Sequence, residues 1–250
     1  SQETTGDVKV FSERPYNNLF VSANTILIHD QMKFPDTLPL MDILQEAGRF
    51  YENWDMAFAK RLLNYFDFNE RQVHSSLSKG KKSTFNIILG LASRCALTLF
   101  DEPTSGMDAA VRKDFYRALL KDYLAHPRSI IISSHHLDEI EELLEDVLLV
   151  EKGKTYLHVS IDELKTYAVG LTGRPEIVEQ WTYDKEVLFS NRINQTTSYV
   201  VVKNDFPIEN AERLGIDVSS VSPSDVCVYL TNKTKRGIDD VFSQNESTRK

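Results

Sequence analysis

Cysteine is scarce: Cys95 and Cys227 are the two in 250 residues, and they lie far apart. Cys95 has apolar neighbours that bury it as a small hydrophobe, so neither a disulfide framework nor a thiolate metal site is present, which fits a reducing compartment. Long hydrophobic runs are missing as well. The longest, IILGLASRCALTLF at 87–100, is interrupted by Arg94 and falls short of the roughly 20 residues that span a bilayer. No transmembrane segment or secretory leader is legible, and any membrane connection is expected through a partner. Positive charge is in deficit: 29 Lys and Arg stand against 37 Asp and Glu, for a net charge of −8. That excludes the clustered basic footprint of a nucleic-acid-binding domain. What is present is a hydrophobic fraction of 41%, enough in a chain of this length for one large domain or two modest ones.

The alternation in DVKVF, Asp7 to Phe11, predicts a short strand, and TILIH ending before Asp30 predicts another. Residues 41–66 carry Met56, Ala59, Leu62, Leu63 and Phe66 at helical spacing. After LSKGKKS at 77–83, Phe85, Ile88, Leu89 and Ala92 share one helical face while Ile87 and Leu91 occupy another, which predicts a buried helix. Asp108 is placed to cap a helix bearing Val111, Phe115, Ala118 and Leu119. SIIISSHH then reads as a buried strand ending in histidines, LDEIEELLE as a short helix and DVLLVEKGK as a strand. Apolar strands alternating with amphipathic helices predict an α/β core: a parallel sheet covered on both faces. From about residue 170 the texture shifts to shorter alternating runs such as TSYVVVK, which predict a separate small α+β unit, and SQNESTRK reads as a disordered tail.

In an open parallel sheet, ligands bind beyond the carboxyl ends of the strands, where Asp101, Glu102 and His135 are expected to project. A carboxylate on a rigid strand end suits magnesium, which takes one or two protein oxygens plus substrate phosphates. A second carboxylate beside it can deprotonate an attacking water. LTLFDEP therefore resembles the Walker B strand of the nucleotide-binding subunit of ABC transporters. The likeness covers about residues 6–154, with the motifs in family order. LSKGK at 77–81 resembles the signature sequence, with Lys79 where glycine is commoner; TSGMD resembles the D-loop, ending at Asp108; IIISSHH resembles the switch strand; and ILIHDQMKF resembles the Q-loop.

That resemblance implies a P-loop NTPase-like fold with a helical subdomain at about 40–84, a core over 1–168 and an accessory domain over 169–250. It implies ATP and Mg²⁺ as cofactors. Asp101 and Gln31 become metal ligands; Glu102 and His135 become catalytic; Gln31, Ser78, Gly80, Lys81 and Asp108 become nucleotide-binding. Two such subunits would sandwich two ATP molecules head to tail, Ser78 and the following helix N-terminus facing the γ-phosphate of the opposite subunit. The implied partners are a second nucleotide-binding subunit and a membrane permease, with the chain on the cytoplasmic face of the cell membrane. The variant LSKGKK and the C-terminal extension resemble bacterial exporters of the drug, peptide or bacitracin type.

The phosphate-binding loop G-x-x-x-x-G-K-[ST] has no match in the 250 residues. SKGKKST at 78–84 lacks the first glycine and follows no strand. In the family this loop precedes the strand that GDVKVF resembles, so the expectation is an N-terminally truncated subunit, inactive alone and exposing apolar surface. The alternative is a P-loop-free regulatory or scaffold protein. A soluble ABC protein acting on DNA or ribosomes would call for a long coiled coil, or a second cassette and a basic surface.

Overall fold

In the computed structural model, which describes residues 6–231, the apolar runs near residues 25, 97 and 129 become one three-stranded parallel sheet. A short helix α1 (Leu19–Asn24) feeds β1 (Thr25–Ile28), followed by α2 (Leu40–Phe50), α3 (Met56–Tyr65) and α4 (Lys79–Ser93). Then come β2 (Leu97–Asp101), α5 (Ala109–Ala125) and β3 (Ser129–Ser133). The strand order is β1-β2-β3. The register sets Ile28 beside Phe100 and Asp101 beside Ser133, so the three carboxyl ends open on one edge.

Local chemistry explains the helix boundaries. Asp55 accepts a hydrogen bond from the Phe58 amide at the start of α3, and Asp108 accepts from Ala110 and Val111 at the start of α5, as its position predicts. α4 is buried from Ser83 through Ser93, because α2, α3, α5 and the sheet surround it. Gly90 makes the close approach to the sheet workable. A Cβ there would stand 2.7 Å from the Phe100 ring and 2.8 Å from Ile28. α4 ends at Arg94 in a left-handed conformation, its guanidinium 3.1 Å from Asp55 and 3.3 Å from the buried Asp122. Arg128 approaches Asp122 at 2.8 Å, a close ionic contact outside hydrogen-bond geometry.

Three expectations need correction. DVKVF is not a strand: its backbone makes an isolated bridge between Val10 and Glu13, Phe11 and Ser12 turn through positive φ, and Val8 is exposed. A period-two pattern without a neighbouring strand leaves its backbone groups unpaired, so the chain turns instead. Secondly, the parallel sheet is covered on one face. Ile26, Ile28, Thr98 and Phe100 are buried, whereas Leu27 and Ile131 on the opposite face are 51% and 58% exposed. β3 is an edge strand whose residues alternate between exposed and half-buried, where SIIISSHH predicts a buried strand. Thirdly, DVLLVEKGK does not extend this sheet.

That segment is β4 (Asp146–Glu151), which follows α6 (Leu137–Ile140) and pairs antiparallel with β5 (Lys154–Ser160). Lys152 and Gly153, both at positive φ, form the turn, the geometry that suits the twist of a two-residue hairpin. The chain divides into two compact units between His135 and His136, whereas the change in texture lies near residue 169. The hairpin groups with the later residues because Val147, Leu157 and Val159 pack with Leu188, Val201 and Val226.

The second unit continues through α7 (Ile161–Lys165), β6 (Ala168–Gly173), α8 (Pro175–Thr182), β7 (Val187–Arg192), β8 (Ser198–Lys203), α9 (Glu209–Glu212), β9 (Asp217–Ser220) and α10 (Pro223–Thr231). Its four strands are antiparallel in the order β7-β8-β6-β9. From β6 to β9 this is the split β-α-β-β-α-β arrangement of ferredoxin-like folds. Val169, Leu171, Val200 and Val202 face α8 and α9, while Ala168, Leu188 and Val201 face α7 and α10. SQNESTRK lies outside the described residues.

Candidate active site

At the carboxyl edge of β2, the chain brings Asp101, Glu102 and His135 together. The Ser133 hydroxyl donates to Asp101 Oδ1 at 2.5 Å, and the Glu102 amide donates to Ser133 Oγ at 3.0 Å. Ser133 thereby fixes both acids. Sequence reasoning passed over it, because a serine at a strand end has many uses; its register opposite Asp101 was the signal. Glu102 sits at φ 44, a left-handed conformation sparsely used by residues with a Cβ, and it turns the side chain from the strand direction. His135 Nδ1 lies 2.8 Å from Glu102 Oε2. A carboxylate held by an imidazole at this distance is oriented to accept a proton, while Asp101 beside it offers a hard oxygen donor.

A second cluster forms at the start of α4. Ser78 is its N-cap, the hydroxyl accepting from the Lys81 amide at 3.4 Å. A cavity of about 480 Å³ opens there, lined by Ser78, Lys79, Gly80, Lys81, Gly106 and Asp108 among others, and by none of Asp101, Glu102 or His135. Gly80 is required by close packing, since a Cβ would fall 2.6 Å from the Gly106 carbonyl oxygen. The Ser83 hydroxyl adds a 2.9 Å bond to the Ser105 carbonyl, so the turn before α5 is tied directly to α4. Lys81 lines this cavity and also ties it to the end of α3. Its ammonium donates to the carbonyls of Phe66 and Asp67 and lies 4.6 Å from the centroid of the Phe68 ring, closing off the end of α3. The Asp108 carboxylate is likewise occupied with the first amides of α5.

Gln31 follows β1 on the same sheet edge as Asp101. Its amide donates to His29 Nδ1 at 3.2 Å, and neighbouring Asp30 lies 4.0 Å from the Lys79 ammonium. Among the described residues no three of His, Cys, Asp and Glu converge as a metal cluster.

A family model described as "AAA domain, putative AbiEii toxin, Type IV TA system" matches residues 17–141, half of the chain. The chain belongs to this AAA-domain family. Its relatives include the ABC transporter ATP-binding protein YtrB of Bacillus subtilis (strain 168), 31% identical over 145 residues, covering 58% of this chain and 50% of that protein. The bacitracin transport ATP-binding protein BcrA of Bacillus licheniformis is 28% identical over 148 residues, covering 59% and 41%. The chain thus spans about half the length of the curated relatives it matches. Among solved structures, an ATP-binding subunit of an ABC transporter superposes with a TM-score of 0.57 at 18% identity, covering 65% of this chain and 70% of the other. A dimeric ATP-binding cassette in a post-hydrolysis state with ADP and Pi gives 0.53 at 14%, covering 63% and 74%. The AAA domain therefore has the fold of an ABC ATPase core, as the resemblance of its motifs implied.

Proposed function

We propose that this AAA domain is the ATP-hydrolysing core of an ABC transporter, in which Glu102 activates water and His135 holds it in place. The observation that carries this reading is the 2.8 Å contact between His135 and Glu102 beside Asp101, on the edge where three strands end. Asp101 and Gln31 would hold Mg²⁺, whose chemistry is to neutralise charge on the phosphate oxygens. Glu102 would take a proton from the water as its oxygen attacks the γ-phosphorus and the bond to the β-phosphate oxygen breaks. The glutamate's φ and the Ser133 hydrogen bonds fix where that base stands.

Ser78 and the first amides of α4 would face the γ-phosphate bound to a second copy or a related subunit, arranged head to tail. The separation of the two clusters supports this, because the cavity at Ser78 shares no lining residue with the Asp101 edge. No G-x-x-x-x-G-K-[ST] occurs in the 250 residues, and on this reading the residues here supply the metal, water-activating and partner-facing groups and not the phosphate cradle. The membrane pathway would belong to a separate permease, with this subunit on the cytoplasmic face; among the described residues no helix is long and apolar enough to cross a membrane. Similarity to a bacitracin transport protein supports export of a peptide-like or drug-like substrate.

The test is magnesium-dependent ATP turnover by the full-length protein. Glu102→Gln is expected to keep ATP binding and to lower turnover roughly 100- to 10,000-fold, the usual worth of a general base; turnover near wild type removes Glu102 from that role. His135→Ala is expected to impair hydrolysis more than binding, and a collapse of ATP affinity would contradict its assignment. The missing cradle favours one other reading, a P-loop-free regulatory protein, which predicts no turnover in the wild type either.

A further inference from the structure

Asn86 stands in the middle of α4, 1% exposed, between Phe85 and Ile87, which are fully buried. An amide so placed is costly unless every polar atom is matched. Its Nδ2 donates to the His29 carbonyl at 3.1 Å, and its Oδ1 lies 3.0 Å from Nε2 of His74, itself 4% exposed. Since Oδ1 can only accept, Nε2 of His74 carries the proton. The His29 ring carries the line one step further, Nδ1 accepting from the Gln31 amide. Phe34 closes the far end of the same segment, its ring centroid 4.9 Å from that of His74 and 6.2 Å from that of Phe85. Hydrogen bonds bridged by the covalent frame of His29 therefore run from His74, four residues before Ser78, to the backbone of Gln31.

Resting on the hydrolytic reading above, we propose that Asn86 is a positioning residue for Gln31: with His74 and His29 it fixes the segment after β1 relative to the helix that presents Ser78. Packing alone would be served as well by leucine at this site. The amide's two ends instead meet groups 12 and 57 residues away in sequence, tying the short turn His74–Ser76 and the residue after β1 to one position of α4. Occupancy at the Ser78 end and the placement of Gln31 are then mechanically linked.

The test is Asn86→Leu, which keeps the branched shape and the number of heavy atoms and removes both hydrogen bonds. Amide exchange at Gln31 and its neighbours is expected to speed up roughly 5- to 10-fold, the worth of one lost hydrogen bond, while exchange in α5 stays unchanged. In the full-length protein, kcat for ATP is expected to fall by a similar factor with KM unaltered, and this loss should vanish in a Gln31→Ala background. Unchanged exchange at Gln31 overturns the proposal whatever turnover does; so does an equal kcat loss in both backgrounds, which would mark a merely structural role. Retained turnover in Glu102→Gln would sink the hydrolytic reading alone and leave the exchange result standing. Should Asn86→Leu not fold, Asn86→Ala, smaller and favourable in a helix, also removes both hydrogen bonds, and it must produce the same faster exchange at Gln31.

Discussion

Gly80→Ala sets two effects of known size against each other. Alanine is the better helix former by about 1 kcal/mol, and Gly80 lies in the first turn of α4, so propensity alone forecasts a more stable protein. The structure forecasts the opposite. The new methyl carbon would stand 2.6 Å from the Gly106 carbonyl oxygen and 3.4 Å from its carbon, and both are backbone atoms that cannot swing aside as a side chain would. The turn at Gly106 is itself held to α4 through Ser83 and Ser105, so relief requires breaking that 2.9 Å hydrogen bond or tilting the helix. Overpacking of this kind costs about 2–3 kcal/mol where neighbours are fixed. The net is a loss of about 1–2 kcal/mol, or a fall in Tm of about 2 to 8 °C for a chain of this size. Urea denaturation followed by circular dichroism measures it. A variant as stable as the wild type, or more so, would refute the close-packing account of Gly80.

Asp122→Ala leaves Arg128, whose side chain is 4% exposed, without its carboxylate, while Arg94 keeps Asp55. Removing one partner of such a buried network costs about 3–5 kcal/mol, and a measured loss under about 1 kcal/mol would contradict it. Acid should also weaken the fold through His74. Burial pushes its imidazole below the ordinary 6.5, outweighing the hydrogen bond to Asn86 that raises it. The unfolded chain therefore takes up that proton first, so stability is full above pH 6.5 and declines as pH falls below it toward the folded value. Comparing pH-dependent stability of wild type and His74→Gln isolates the effect; parallel curves between pH 7 and 5 would show that His74 contributes nothing.

Strand ends were the most legible parts of this sequence. LTLFD and SIIIS are apolar runs, and the acids and histidines after them fall on one edge because parallel strands share a direction. Asp108 was legible as a cap because the amides it satisfies lie two and three residues away. Periodicity does not say which strand is at an edge, so the half exposure of β3 was invisible, and DVKVF had the pattern without a neighbour to pair with. The β4–β5 hairpin did carry a signal, the Lys152-Gly153 pair between alternating runs, which the expectation of continued β-α-β winding overrode. Lys81 and Asn86 were unreadable for a different reason: their partners are Phe66, Asp67, His29 and His74, and sequence alone does not say which distant carbonyl a buried donor will meet.

Burial on every side of α4 has a mechanical consequence. A helix of 15 residues is a rod about 22 Å long at 1.5 Å per residue. Enclosed from Ser83 to Ser93 it has little room to bend, roll or slide, so it carries load as a rigid strut. One end carries the serine at the cavity, and the other is pinned by Arg94 to Asp55 and Asp122. A force applied at Ser78 would thus be delivered along the helix to the start of α3 and the end of α5, with the ionic cluster at Arg94 as the stop.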